Sequence, residues 1–214
     1  MARKRVAILI SGRGSNMVAL IEAAKDSRYP AGIMLVISNE PDAEGLKRAA
    51  AAGIRTAVVD HRPFGKDRAA FERALQDVLQ AHQIELVCLA GFMRLLTPWF
   101  VRQWDARLLN IHPALLPSFP GLDTHARALA AGVKLHGCTV HFVTAEVDAG
   151  PIVIQAAVRV RAGESAAALA ARVLALEHVV YPRAARWFLE GRLLVQNGVV
   201  TVKGNDAQLV LSAD

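Results

Sequence analysis

Apolar positions along this chain follow two rhythms. Short unbroken runs, Val6 to Ile10, Ile33 to Ile37, Thr56 to Val59 and Leu86 to Ala90, read as buried strands of a parallel sheet. Helical spacing fills the gaps between them. Met17, Leu20 and Ile21 follow the first run, and a segment from about Ala43 to Ala52 stops at Gly53. Asp67 to Ala81 then sets Phe71, Leu75, Val78 and Leu79 on one side. Four strand–helix alternations predict right-handed parallel crossovers in a Rossmann-like half. A fifth strand, around Leu108 to His112, comes next.

Past Gly121 the rhythm changes. The spacing predicts a helix from about Thr124 to Ala131, a half-exposed strand over Gly137 to Phe142, and an antiparallel neighbour over Ile152 to Val160. Ser165 is placed to cap a long helix reaching Glu190, with a break expected near Pro182. Asn197-Gly198, between two short apolar runs, predicts a terminal hairpin. The expected fold is α/β: a Rossmann-like, mostly parallel sheet flanked by helices, with an antiparallel C-terminal part. One domain is expected over 1–214, with halves at about 1–105 and 106–214.

Composition narrows the partners. The chain has 214 residues, 53% hydrophobic and 21% charged, enough for a substantial core. A net charge of +6 favours anionic partners: phosphorylated metabolites, polycarboxylates or nucleic acid. Cys88 and Cys138 lie in apolar contexts without a CxxC pattern, which points to buried thiols in a reducing cytoplasm. The basic start at Ala2-Arg3-Lys4-Arg5 precedes an apolar run far too short for a signal-peptide core. No run approaches the ~20 residues of a membrane span.

Two stretches carry chemistry. Ser11-Gly12-Arg13-Gly14-Ser15-Asn16 links a strand to a helix, an arrangement that leaves free N–H groups for an anion. Met17 stands where the third glycine of a dinucleotide fingerprint would be, so a phosphate monoester fits better. A tight turn needing glycine for backbone reasons alone is the alternative. The second stretch is Leu109-Asn110-Ile111-His112-Pro113. Residues two apart on a strand share a face, so Asn110 and His112 project together at the strand's carboxyl end, where open α/β sheets bind ligands. An amide donor beside an imidazole can hold a carbonyl oxygen and move a proton. Asp148, in the turn-rich loop from Val143 to Pro151, is the expected partner of His112. Such a carboxylate favours the imidazolium and fixes its orientation. A simple turn-forming aspartate is the alternative. His136 and His141 lie an odd number of residues apart, on opposite faces of a continuous strand, so no metal site is expected. No serine sits on a Gly-x-Ser-x-Gly elbow.

These residues resemble the phosphoribosylglycinamide formyltransferases, folate-dependent enzymes of purine synthesis. The resemblance runs in order over essentially the whole chain: Ser11 to Asn16, Leu89 to Leu96, Leu109 to Pro117, Pro120 to His125, His136 to Val143, Asp148 to Ile152, and Leu176-Glu177-His178. The Asn-x-His-Pro-x-Leu-Leu-Pro segment is shared by the wider formyltransferase superfamily; the glycine loop is more specific. The resemblance implies a catalytic triad of Asn110, His112 and Asp148. It implies substrate contacts at Gly14, Ser15, Asn16, Met17, Val18 and Glu177. It places 10-formyltetrahydrofolate, as co-substrate, near Arg68, Met93, Arg94, Leu95 and Leu96, and near Asn110 and the loop Thr144, Ala145, Glu146, Val147 and Asp148. The first half would bind the phosphoribosyl group, the second the folate. No metal is implied, the partners are small molecules rather than nucleic acid or membrane, and a homodimer is left open. Arg13 stands where the family often has asparagine, and Ala149 replaces a frequent glycine.

The expected reaction is formyl transfer to the amine of 5'-phosphoribosylglycinamide. Methionyl-tRNA formyltransferase is the first rival; its family carries a further C-terminal domain, whereas this chain stops at Asp214. Formyltetrahydrofolate hydrolase, whose family carries an added N-terminal domain, is the second. A non-catalytic nucleotide- or nucleic-acid-binding module is the rival outside enzymes, supported only by the glycine loop and the basic charge.

Overall fold

The computed structural model describes residues 3–204 and 206–212; Ala2 of the basic start and the terminal Asp214 lie outside them. The fold is α/β, a mostly parallel sheet flanked by helices with a small antiparallel sheet near the C-terminus. The chain divides into two compact units, Met1–Leu109 and Asn110–Asp214.

The first unit holds β1 (Lys4–Ile10), α1 (Ser15–Lys25), β2 (Ala31–Ser38), α2 (Glu44–Ala51), β3 (Thr56–Val58), α3 (Arg68–Ala81), β4 (Leu86–Leu89) and α4 (Pro98–Gln103). Its strands run in the order β3-β2-β1-β4, and every pairing among them is parallel. Val6 to Ile10 and Leu86 to Cys88 are essentially inaccessible, as a sheet covered on both faces requires. Loops leaving the carboxyl ends of β1, β2 and β4 therefore lie at one edge.

Two features of this unit depart from the pattern. Val78 of α3 is only half-buried, while Glu72 and Gln76 are buried. Both polar side chains are used. Glu72 accepts from the Thr97 backbone N–H at 2.6 Å and from the Thr97 hydroxyl, at the N-cap of α4. Gln76 Oε1 accepts from the Trp104 indole N–H at 2.7 Å. Periodicity alone missed α4, although Thr97-Pro98 is a cap followed by a proline at the first helical position.

The boundary between units falls inside β5 (Leu108–His112). The second unit continues with α5 (Thr124–Ala130), β6 (Leu135–Phe142), β7 (Ile152–Arg159), α6 (Ala166–Leu189), the hairpin β8 (Leu193–Gln196) and β9 (Val199–Val202), and β10 (Leu209–Leu211). Strand order is β5-β6-β7-β10, with β6 and β7 antiparallel and β10 parallel to β7. β10 was not expected; three residues are too few to show a period.

The expectation of a half-exposed β6 is overturned. From His136 to Phe142 every residue is buried, because α6 packs on both β6 and β7. Nor does α6 break at Pro182. It runs on for 24 residues, since Val180, Tyr181, Ala184, Ala185 and Trp187 bury both flanking turns. That packing offsets the backbone hydrogen bond a proline forfeits.

Candidate active site

A cavity of about 260 Å³ opens in the first unit, lined by Ser11, Gly12, Arg13, Gly14, Ser15, Asn16, Ala90, Gly91 and Met93. Gly14 is the N-cap of α1, which has no side-chain cap and no acidic residue in its first turn. The first amides of that helix thus present partial positive charge without an internal anion to neutralise it. Met17 is fully buried, the Val18 N–H is already donated to Gly14 O at 3.0 Å, and neither residue is among those that line the cavity. Gly45, which sequence reasoning passed over, supports the loop. A Cβ there would meet Ile10 Cδ1 at 2.5 Å and Gly12 O at 3.0 Å, so only glycine lets α2 approach the loop this closely.

Of the residues assigned to folate, Met93 and Leu95 are well exposed, at 65% and 62%. Arg94 lies over the Phe71 ring, 6.0 Å from its centroid. Arg68 opens α3 on the surface.

In the second unit the structure brings Asn110, His112 and Asp148 into one cluster. His112 is buried, and each of its ring nitrogens faces an oxygen. Nδ1 is 3.3 Å from Asp148 Oδ2, and Nε2 is 2.9 Å from the Phe119 carbonyl. Two acceptors suit an imidazolium, which carries two N–H groups where the neutral ring has one. Asp148 Oδ2 also accepts from the Gly121 N–H at 2.9 Å. The backbone at Asp148 is left-handed, φ 53°, a conformation aspartate tolerates better than most residues. Gly150 then lets the loop close on β6: a Cβ there would sit 1.8 Å from Phe142 O. Thr144, Ala145, Glu146 and Val147 complete the loop, with the Thr144 hydroxyl donating to Glu146 O at 3.1 Å. Glu177 is buried on α6, near the Cys138 thiol, whose pKa burial raises first and the Glu177 charge raises further.

A fourth side chain, His141, joins the cluster; sequence reasoning weighed it only as a metal ligand. β6 itself runs unbroken from Leu135 to Phe142; its pairing with β7 slips between Val140 and His141, where Val153 of β7 is the extra residue. His141 Nδ1 donates to Phe142 O at 2.9 Å, and burial holds the ring below the usual imidazole pKa. Its Nε2 is then a bare acceptor, 3.2 Å from the Asn110 amide nitrogen. That contact fixes the Asn110 amide with its nitrogen toward His141 and leaves its second N–H to donate elsewhere. His141 Nε2 is also 3.7 Å from Asp148 Oδ1. Among the described residues no group of three or more His, Cys, Asp and Glu could hold a metal ion.

The segment after β5 is pinned by side chains of β6 and β7. Thr139 Oγ1 donates to Ala114 O at 2.7 Å and accepts from Leu116 N at 3.0 Å and Gln155 Nε2 at 3.0 Å. Farther along, His136 Nε2 and His125 Nδ1 lie 3.1 Å apart, with Phe119 edge-on to the His136 ring. Burial lowers the His136 pKa from the usual 6.5 to about 4. An unfolded chain takes up that proton near pH 6.5, whereas the folded protein refuses it until about pH 4. Stability is therefore expected to be fully present above pH 6.5 and to decline toward pH 4. Melting temperature should fall by a few degrees over that window through this residue. The fall should be shallower in His136→Asn; parallel curves for both proteins would refute the assignment.

The formyl transferase family model matches residues 4–185. The chain belongs to the formyl transferase family. The family's phosphoribosylglycinamide formyltransferase of Escherichia coli K12 is 45% identical over 199 residues, covering 93% of each chain. The trifunctional purine biosynthetic protein adenosine-3 of Bos taurus is 47% identical over 197 residues. The match takes 92% of this chain but only 19% of that protein, so this chain spans about a fifth of its length. The crystal structure of glycinamide ribonucleotide transformylase 1 from Symbiobacterium toebii superposes with a TM-score of 0.90 at 46% identity, covering 94% of both chains.

Proposed function

We propose that this protein transfers the formyl group of 10-formyltetrahydrofolate to the amine of 5'-phosphoribosylglycinamide, giving the formylated ribonucleotide and tetrahydrofolate. The observation that carries the reading is the cluster of Asn110, His112, His141 and Asp148 in a member of this family. The names of the full-length bacterial relatives support the choice of acceptor.

The neutral amine attacks the formyl carbon, and the carbonyl π pair moves onto oxygen. Asn110 donates its free N–H to that oxygen. A preorganised donor of this kind is worth about 3–4 kcal/mol in the transition state. His112, oriented by Asp148 and by the Phe119 carbonyl, supplies positive charge beside the same oxygen. Collapse of the tetrahedral adduct expels the folate nitrogen, which gains a proton while the attacking nitrogen loses one. The cavity at Gly14, Ser15, Asn16 and Met93 takes the substrate phosphate through the amides opening α1. Glu177 contacts the substrate. The folate sits against Arg68, Met93, Arg94, Leu95 and Leu96 and the loop from Thr144 to Asp148.

Turnover of formyl-folate with and without the ribonucleotide tests the reading. Release of tetrahydrofolate that depends on the ribonucleotide, with one formylated product per turnover, is expected. Release that does not depend on it would replace transfer by hydrolysis.

A further inference from the structure

Four loops at the carboxyl ends of the first unit's strands are joined by a chain of polar contacts in which Ser11 is the pivot. The Ser11 N–H donates to Gly91 O at 3.0 Å, and the Met93 N–H donates back to Ser11 Oγ at 2.8 Å. These two bonds clamp the segment after β4 to the residue that opens the glycine loop. The Ser11 hydroxyl hydrogen is committed in turn, donated to Asn39 Oδ1 at 2.5 Å. Asn39 is itself buried and held: its Nδ2 donates to Glu40 Oε1 at 3.0 Å, and His61 Nδ1 lies 3.1 Å from its carbonyl oxygen.

A serine hydroxyl has one hydrogen to give. Here it goes to Asn39, so toward every other group Ser11 Oγ acts as an acceptor. A phosphate oxygen needs donors, and Ser11 has none left on its side chain. The lone pair that Asn39 orients meets the Met93 N–H instead. Met93 is 65% exposed, so packing does little to fix its backbone and the hydrogen bond has that task.

We infer that Ser11 is a positioning residue for the formyl donor, its Asn39-oriented hydroxyl holding the Met93 backbone and with it the segment from Gly91 to Leu96. The inference rests on the assignment of that segment to formyl-folate under the proposed function. Although Ser11 lines the same cavity as Gly14 and Ser15, its side chain serves the folate rather than the phosphate.

Two measurements on Ser11→Ala and Ser11→Thr test this. Amide hydrogen exchange on the free protein reads the clamp without reference to substrates: exchange over residues 91–96 should accelerate in Ser11→Ala and return toward the parent rate in Ser11→Thr. Steady-state kinetics reads the consequence. In Ser11→Ala the KM for formyl-folate should rise about tenfold, the loss of one net hydrogen bond, with the ribonucleotide KM changing less than about twofold. Asn39→Ala should raise the folate KM by a smaller factor, and the double variant should be no worse than Ser11→Ala, because Asn39 acts only through the serine. A rise in the ribonucleotide KM equal to or larger than that for folate would make Ser11 a phosphate ligand and overturn the inference. So would unchanged exchange over 91–96 in Ser11→Ala. Should Ser11→Thr not fold, the Ser11→Ala and Asn39→Ala cycle decides alone. Absence of formyl-folate turnover in the parent protein would instead overturn the proposed function.

Discussion

Asn110→Ala is expected to lower kcat by about 10²–10³ while moving both KM values only a few fold. The amide stands at the end of β5 with its nitrogen drawn to His141 Nε2 at 3.2 Å. A donor held before substrate arrives needs no reorganisation as charge builds on the formyl oxygen, so its removal is felt in the transition state. Asn110→Asp makes the sharper variant. It preserves shape but turns an oxygen toward a bare ring nitrogen, and it adds negative charge where an oxyanion must form. Its kcat should be no higher than that of Asn110→Ala. Melting curves check that the fold survives, since Asn110 is half-buried. A loss confined to KM would make Asn110 a uniform binding group.

The second large effect belongs to His112 and Asp148 together. Asp148→Asn keeps the side-chain volume and removes the charge 3.3 Å from His112 Nδ1. It is expected to cut kcat by roughly 10²-fold or more, within the range for positioned acid–base groups. His112→Ala should cost at least as much. The double variant should be little worse than the poorer single one, because groups that act as a unit do not add. Asp148 also accepts the Gly121 N–H, so part of its effect passes through the segment after β5. Asparagine can accept that bond through its side-chain oxygen, which isolates the charge. Strictly additive losses in the double variant would separate the two residues and leave Asp148 as a loop former.

Both predictions rest on residues legible from local pattern. Asn110 and His112 share a face because strand side chains alternate, and a polar pair closing an apolar strand announces itself. Asp148 could be singled out as the carboxylate of an acidic turn. His141 could not. Its contacts with Asn110 and Asp148 join residues about 30 and 7 positions away, and no local rule predicts that these three side chains meet. The Phe119 carbonyl and the Gly121 N–H escaped notice for a different reason: backbone groups carry no identity in a sequence.

The same division runs through the fold. Strand runs, helical spacing, the Ser165 cap and the Asn197-Gly198 turn are encoded within a few residues of where they act, and the parallel α/β half and the hairpin follow from them. Elements whose stability comes from distant partners did not show. Glu72 and Gln76 are buried in α3 because α4 and Trp104 offer them hydrogen bonds about 25 residues away or more. Pro182 sits inside α6 because packed turns on both sides outweigh one lost bond. β10 exists because β7 has an edge to pair with. By itself the sequence determined the strand and helix framework, the glycine loop, and the polar pair ending β5, since periodicity, caps and turns are local. Only the tertiary structure decided how His141 orients Asn110 and how Ser11 and Asn39 hold Met93. Hydrogen bonds and burial between segments far apart in the chain depend on where the whole fold places each donor and acceptor.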